Sequence, residues 1–283
     1  MSSLIAGLSQ RQSELLGQWM PGARVVRDHG WGLVETVVVE VTYASARFIV
    51  KAGGANDRHI AREIEAHQRW LQPWTSRGRA AQLVRCDAEA RIIVTRHLPG
   101  ELVLGHPSAH EPDTYRQAGT LLALLHSQTG DVDPGFERRE NEKAISWLDG
   151  PHRIDPAALR RLRAMIKAWP VAASVLVPTH GDWQPRNWLI HDGVVSVIDF
   201  GRSAMRPAMT DFSRLAAQEF SGDPSLEKAF LEGYGRDPRE PAAFYRQRVR
   251  DAIGTACWAF RVGDSEFEAQ GHRRVAEVLA GAP

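Results

Sequence analysis

Asp192-Gly193 stands between two apolar runs, Trp188 to His191 and Val194 to Ile198. Such a dipeptide in such a setting is a strong short-range hairpin signal. It also fixes a register. A two-residue turn pairs His191 with Val194, sets Trp188 opposite Val197 and sets Asn187 opposite Ile198. Asn187 and Asp199 then share the open end of the hairpin, on adjacent strands about 5 Å apart. An amide oxygen and a carboxylate held there suit a hard cation such as Mg²⁺, which prefers oxygen and takes few ligands from protein. Strict alternation would aim the two side chains at opposite faces. The strand is therefore expected to end or bulge at Asp199, which Gly201 eases. Asp182 precedes Asn187 in the same segment, and Pro185 between them forces a loop rather than a helix. That loop can present Asp182 beside the pair, where a carboxylate can accept a hydrogen bond from a hydroxyl and aim it at a phosphorus atom.

The rest of the chain divides by pattern. A short helix is expected over Gln10 to Trp19, ended by Pro21-Gly22. Leu33 to Val41 and Ala46 to Lys51 are rich in β-branched residues and read as a hairpin. Helical periodicity runs from Arg58 to Leu71, with Pro73 as its stop, and short strands are expected near Leu83 to Cys86 and Arg91 to Thr95. Leu98-Pro99-Gly100 is a natural break. Beyond it, Asp113 to His126 carries an apolar stripe at helical spacing, and Asp155-Pro156 pairs an N-cap with proline at the first helical position. Thr210 to Ala280 reads as helices. A β-rich third thus precedes a mainly helical remainder.

Composition narrows the partners. The 283 residues carry 35 basic and 34 acidic side chains, a net charge of +1. No excess of positive charge points to nucleic acid or an anionic membrane as the main partner. Two cysteines, Cys86 and Cys257, lack metal-ligand spacing. No targeting segment is evident at the N-terminus and no stretch reaches a membrane span, so a cytoplasmic protein is expected.

His180-Gly181-Asp182, Asn187 and Asp199-Phe200-Gly201 together resemble the catalytic and metal-binding motifs of the aminoglycoside phosphotransferase and choline kinase superfamily. The resemblance extends from about Gly30 to about Ala217. It implies an α+β, bilobal, protein-kinase-like fold: an N-terminal antiparallel-sheet lobe with one key helix (residues 1–95), a hinge (96–100) and a larger helical lobe (101–283) with the catalytic loop and acceptor site. It further implies Asp182 as catalytic aspartate and Asn187 and Asp199 as Mg²⁺ ligands. It calls for a strand lysine on the α- and β-phosphates and a helix glutamate to hold that lysine. Lys51 ends its strand. Ile60, Glu63, Ile64, His67 and Leu71 fall on one helical face, so Glu63 is the expected partner, with Glu65 as the fallback. Backbone groups near Arg96 and Leu98 would bond the adenine. The loop His29-Gly30-Trp31-Gly32 would cover the phosphates through Gly30 and Gly32, but it lacks the serine many relatives carry, which leaves ATP and GTP both open.

The implied activity is phosphoryl transfer to a hydroxyl of a small-molecule acceptor, by a monomer or homodimer. No Ala-Pro-Glu-type segment follows Asp199-Phe200-Gly201, which argues against a protein substrate. The acceptor could be an antibiotic of aminoglycoside, nucleoside or peptide type, inactivated as resistance. A metabolic sugar or amino alcohol is the alternative, and a silent nucleotide-binding pseudokinase the lesser one. Between Arg206 and Pro283 acidic and basic residues nearly balance. Asp264, Glu266 and Glu268 form a local acidic cluster, read either as an amine-contacting wall or as a solvated helix start. Trp183, inside the loop, is the tryptophan expected to touch substrate.

Overall fold

β-Branched residues build the first sheet. In this computed structural model, which describes residues 5–30 and 36–281, helix α1 (Gln10–Trp19) is followed by β1 (Arg24–Asp28), β2 (Val37–Tyr43), β3 (Ala46–Ala52), helix α2 (His59–Arg69), the short α3 (Gln72–Thr75), β4 (Leu83–Asp87) and β5 (Ile92–Arg96). The strands pair antiparallel in the order β1-β2-β3-β5-β4. The expected hairpin is β2–β3, closed by Ala44 and Ser45, both at positive φ. Residues 33–35 of the expected first strand lie outside the described residues. Strand β1 was not anticipated: every one of its side chains is exposed, so it carries no alternation. Pro73 does not end α2, which stops at Arg69; it opens α3 instead.

Alternation along β3 decides where its lysine goes. Phe48, Val50 and Ala52 pack with Leu15 and Leu16 of α1 in one core. The other face of the sheet packs against α2, where Ile93, the cross-strand partner of Lys51, meets Ile60 and Ile64. Lys51 therefore points towards α2.

The chain continues through β6 (Glu101–Leu102), α4 (Pro112–His126), β7 (Asp131–Asp133), α5 (Phe136–Asp149), α6 (Pro156–Ala168), β8 (Ser174–Thr179), β9 (Trp188–His191), β10 (Val194–Val197), β11 (Ala204–Arg206), α7 (Ser213–Ala217), α8 (Glu219–Gly222), α9 (Pro224–Tyr234), α10 (Pro241–Val262) and α11 (Ser265–Ala280). The β9–β10 hairpin has the register its turn dictates, His191 opposite Val194 and Trp188 opposite Val197. Gly100 lets β6 lie against it: a Cβ there, at φ 123°, would sit 2.8 Å from the Ile190 carbonyl oxygen. The largest core joins α2 and α3 to this half, with Trp70, Leu71 and Trp74 packed among Trp183, Trp188, Val197 and Phe200. The Val197 N–H also donates to the Arg79 carbonyl (2.7 Å). The two halves thus share apolar packing well before residue 96.

A second core unites α5, α6, α10 and α11. Across it, Arg250 of α10 meets Glu137 (2.6 Å) and Asn141 (2.6 Å) of α5, all buried. Burial pushes the Glu137 carboxyl up, but the Arg250 and Arg246 guanidinium groups outweigh it and hold it below its ordinary value. Glu137→Ala leaves a buried, unpaired guanidinium and is expected to cost roughly 3–5 kcal/mol in chemical denaturation. The carboxylate's contribution is complete above the ordinary value of 4.5 and fades as pH falls through the depressed folded value. Glu137→Gln and wild type should therefore converge in stability in acid.

Candidate active site

Lys51 reaches across to two elements. Its Nζ lies 2.9 and 3.0 Å from the Glu63 carboxylate oxygens and 3.6 Å from Asp199 Oδ1. Burial alone would favour the neutral amine; the Glu63 and Asp199 carboxylates outweigh it and raise the Lys51 pKa. The Lys51 ammonium in turn holds the Asp199 carboxyl below its ordinary value. Glu65 faces solvent and pairs with Arg69 instead (2.7 Å).

Asp199 sits where the hairpin breaks. Ile198 still donates to the Asn187 carbonyl (3.0 Å), but Asp199 then turns to φ +67°. That conformation is uncommon for a residue other than glycine and clusters at functional sites. The Asp199 side chain remains 53% exposed. Gly201 accepts a hydrogen bond from His59 Nδ1 (2.9 Å), which ties this turn to the start of α2.

The loop bearing Asp182 hangs from one buried carboxylate. Asp211 accepts the His180 N–H on Oδ2 (2.7 Å) and the Gly181 N–H on Oδ1 (2.6 Å). It also meets His126 Nε2 at 3.1 Å, while His126 Nδ1 meets the Tyr234 hydroxyl at 2.8 Å. Gly181 has φ +81°, and a Cβ there would lie 2.2 Å from the Arg202 carbonyl oxygen, so no other residue fits. His180 Nδ1 accepts the Asp182 N–H (3.2 Å), and its Nε2–H donates to the Ile198 carbonyl (3.0 Å). Both nitrogens are occupied, so this histidine positions the loop.

Asp182 itself is buried and saturated. Gln184 Nε2 and Arg214 Nε reach Oδ1, each at 2.6 Å. Arg186 Nη2 (2.6 Å) and Asn187 Nδ2 (3.2 Å) reach Oδ2. Burial pushes the carboxyl up, and the Arg214 and Arg186 charges outweigh it, so it is held below its ordinary value, as a carboxylate. The Asn187 amide nitrogen also donates to the Asp182 carbonyl (2.8 Å). With its nitrogen committed, Asn187 offers its oxygen to a cation. Asp211, Arg186 and Arg214 were not singled out from sequence. Arg186 lay in plain view inside the motif block, whereas Arg214 comes from a different element, α7.

Other expected residues fare differently. The Arg96 N–H is spent on the Gln82 carbonyl (2.9 Å), leaving its carbonyl as the group for a ligand, and the Leu98 N–H has no backbone partner among the described residues. The Gly30 N–H donates to Asp28 Oδ1 (2.7 Å), and Gly32 lies outside the described residues. Trp183 borders the cleft beside Asp182, but its ring is 1% exposed and packs against Trp74, Trp188 and His180. It packs as a core residue that fixes the loop at the border of the cleft. The acidic cluster stands away from the cleft. Asp264 caps α11 through the Phe267 N–H (2.9 Å), Glu268 is held by Arg153 and His272, and Glu266 stands in the exposed first turn. None of the three lines the cleft of about 710 Å³ that opens beside Asp182.

The model of the phosphotransferase enzyme family, APH, matches residues 28–244. The chain belongs to this family. Comparison with curated protein sequences returns no match. Among solved structures, this phosphotransferase resembles choline kinase LicA from Streptococcus pneumoniae at 16% identity, covering 95% of this chain and 97% of that one with a TM-score of 0.67. Macrolide 2'-phosphotransferase MphH from Brachybacterium faecium gives 18% identity, 93% and 96% coverage and a TM-score of 0.62. The gentamicin-APH(2")-IIa complex gives 16%, 96% and 97%, and 0.66. At these identities the likeness establishes the shared protein-kinase-like fold. No helix among the described residues is long and apolar enough to cross a membrane.

The Asp211 anchor is testable. Asp211→Asn presents one oxygen where two backbone N–H groups need one each. A buried donor left unsatisfied costs roughly 1–3 kcal/mol, so chemical denaturation of the variant should show a loss of that order. Unchanged stability would contradict the anchoring role.

Proposed function

We propose that this protein is an ATP-dependent O-phosphotransferase that places the γ-phosphoryl group on a hydroxyl of a small molecule. The observation that carries the reading is the Lys51–Glu63 pair set 3.6 Å from Asp199, with Asn187 joining that end of the hairpin to the Asp182 carboxylate. In this reading Glu63 holds Lys51 extended towards the α- and β-phosphates. The Arg96 carbonyl and Leu98 N–H take the adenine edge in a hinge at 96–100, between lobes of residues 1–95 and 101–283. Gly30 permits close approach of backbone to phosphate.

The donor set fits a magnesium ion. Asn187 has only its oxygen left to give, and Asp199 is an ionised, half-exposed carboxylate. No group of three or more His, Cys, Asp or Glu suited to a metal occurs among the described residues. Two protein oxygens plus substrate phosphates is the arrangement Mg²⁺ commonly takes. Magnesium there would neutralise charge developing on the phosphates. Asp182 would orient the acceptor hydroxyl and take its proton. Nucleotide use is supported by solved relatives that hold AMP, ADP or AMP-PNP; GTP is the alternative donor.

Radiolabel transfer from γ-labelled ATP tests the assignment. Asp182→Ala should cut turnover by roughly 10²–10⁴-fold while sparing nucleotide affinity. Asp199→Ala should weaken magnesium-dependent nucleotide binding as well, and Lys51→Ala should fall between. Full turnover by Asp182→Ala would remove the catalytic role, and label appearing only on protein substrates would sink the small-molecule reading.

A further inference from the structure

The cleft beside Asp182 is positively charged. It is lined by nine arginine or lysine side chains and five carboxylates. Several of those carboxylates are already committed. Asp182 holds Arg186 and Arg214, Asp211 holds the loop backbone, and Glu140 pairs with Lys143 (3.4 Å). Asp251 takes the Gln247 amide (2.9 Å), and burial pushes its carboxyl up. By contrast, Arg62, Arg202, Arg206, Arg248 and Arg274 line the cleft with no carboxylate within 4.0 Å among the described residues. Arg274 Nη2 is buried there without a hydrogen-bond partner among the described residues. Among the described residues Arg206 bonds to the Thr179 hydroxyl (3.1 Å) and the Arg202 carbonyl (2.9 Å). Burial pushes Arg206 and Arg214 down; Asp211 and Asp182 respectively oppose it, and the neighbouring Arg202 guanidinium adds to the lowering of both.

Arg62, Arg202 and Arg248 are exposed and Arg206 and Arg274 half-buried, and the carboxylates that act on Arg274 (Asp251, Glu277 and Glu219) do so from beyond ion-pair distance. Planar forks of this kind match carboxylate and phosphate oxygens. Lys51, Glu63, Asn187 and Asp199 do not line this cleft, so its charge is not the nucleotide's own Lys51 contact. Trp147, Trp258 and Phe267 do line it, so an acceptor also has apolar surface to bury.

Resting on the phosphotransferase reading, we infer that the acceptor is a hydroxylated small molecule bearing an anionic group, a carboxylate or a phosphate monoester, which is held by Arg202, Arg206, Arg214 and Arg274. Asp182 explains how the two halves of that molecule are used together. Its two oxygens already receive four donors, which fills the lone-pair sites a carboxylate offers. An acceptor hydroxyl must displace one of them. Arg214, 28% exposed and bonded through Nε, is shared between Asp182 and the arginine cluster. An anion in the cluster draws Arg214 away and uncovers Oδ1. The hydroxyl oxygen then bonds to the γ-phosphorus as the bond to the β-phosphate bridging oxygen breaks. Its proton passes to Asp182, and the products are a phosphomonoester and ADP. Cationic acceptors such as amino alcohols and aminoglycosides are disfavoured by the same charges.

The test has two arms. In the first, inorganic phosphate is titrated at constant ionic strength into enzyme saturated with Mg²⁺ and AMP-PNP, using wild type and an Arg202→Ala/Arg274→Ala double variant. Phosphate should bind wild type and bind the variant at least tenfold more weakly, with AMP-PNP affinity unchanged. The variant should melt near wild type, since Arg202 is exposed and Arg274 holds no carboxylate within 4.0 Å among the described residues. No phosphate binding, or equal binding by both proteins, overturns the inference. In the second arm, ADP release is compared for matched acceptors: glucose 6-phosphate with glucose, glycerate with glycerol, UMP with uridine, and choline and gentamicin as cations. Preference for the anionic member of a pair supports the inference, and faster turnover of choline or gentamicin overturns it. Failure of AMP-PNP to bind would instead sink the phosphotransferase reading, and the phosphate titration of the two proteins would still read the arginine cluster.

Discussion

Two elements distant in sequence meet at one charge. The Lys51 ammonium, on a strand of the first sheet, is shared between Glu63 of α2 and Asp199 at the end of the second hairpin. A buried ammonium survives only with such partners, and each carboxylate is placed by a different device. Strand alternation aims Lys51 at α2. Helical periodicity puts Glu63 on the buried face. A left-handed residue turns Asp199 out of its strand. Behind them, Phe200 packs edge-on against His67 of α2 and His180 of the loop, so that the same short segment links charge and packing.

The Asp182 loop depends on a second buried carboxylate. Asp211 replaces water for two backbone N–H groups that the loop cannot satisfy internally. This fixes the backbone and frees the Asp182 side chain to be tuned by its neighbours. The result is a carboxylate kept ionised in a buried place by two arginines. Such a group suits orientation of a hydroxyl better than strong base chemistry, in keeping with the loose transition state of phosphoryl transfer.

Much of this was legible in the sequence, because local rules carried it. The Asp192-Gly193 turn set a register that the β9–β10 pair adopts residue for residue. Asp155 caps its helix as the Asp155-Pro156 pair implies. What escaped was long-range. Strands β7, β8 and β11 are short, lie apart in the chain, and include Pro178. Helix α5 begins with a strongly charged run that hides its buried positions, Phe136, Asn141, Ala144 and Leu148. The charge of the cleft was hidden for a different reason. Acidic and basic residues balance in number over the last third, but not in direction. Asp223, Glu240 and Asp264 cap helices, Glu227 and Asp237 hold Arg239, and Glu232 meets Arg116. The acids are thus largely spent outside the cleft, and the arginines that face it are left in excess.

The central claim is that Asn187, Asp199 and Lys51 converge on one magnesium nucleotide beside Asp182. A crystal structure grown with Mg²⁺ and AMP-PNP measures this directly. The account predicts a cation about 2.0–2.1 Å from the Asn187 amide oxygen and an Asp199 carboxylate oxygen, Lys51 on the α- or β-phosphate, and the γ-phosphorus facing Asp182. A nucleotide bound elsewhere, or a cation with neither of those oxygens in its coordination shell, would contradict it.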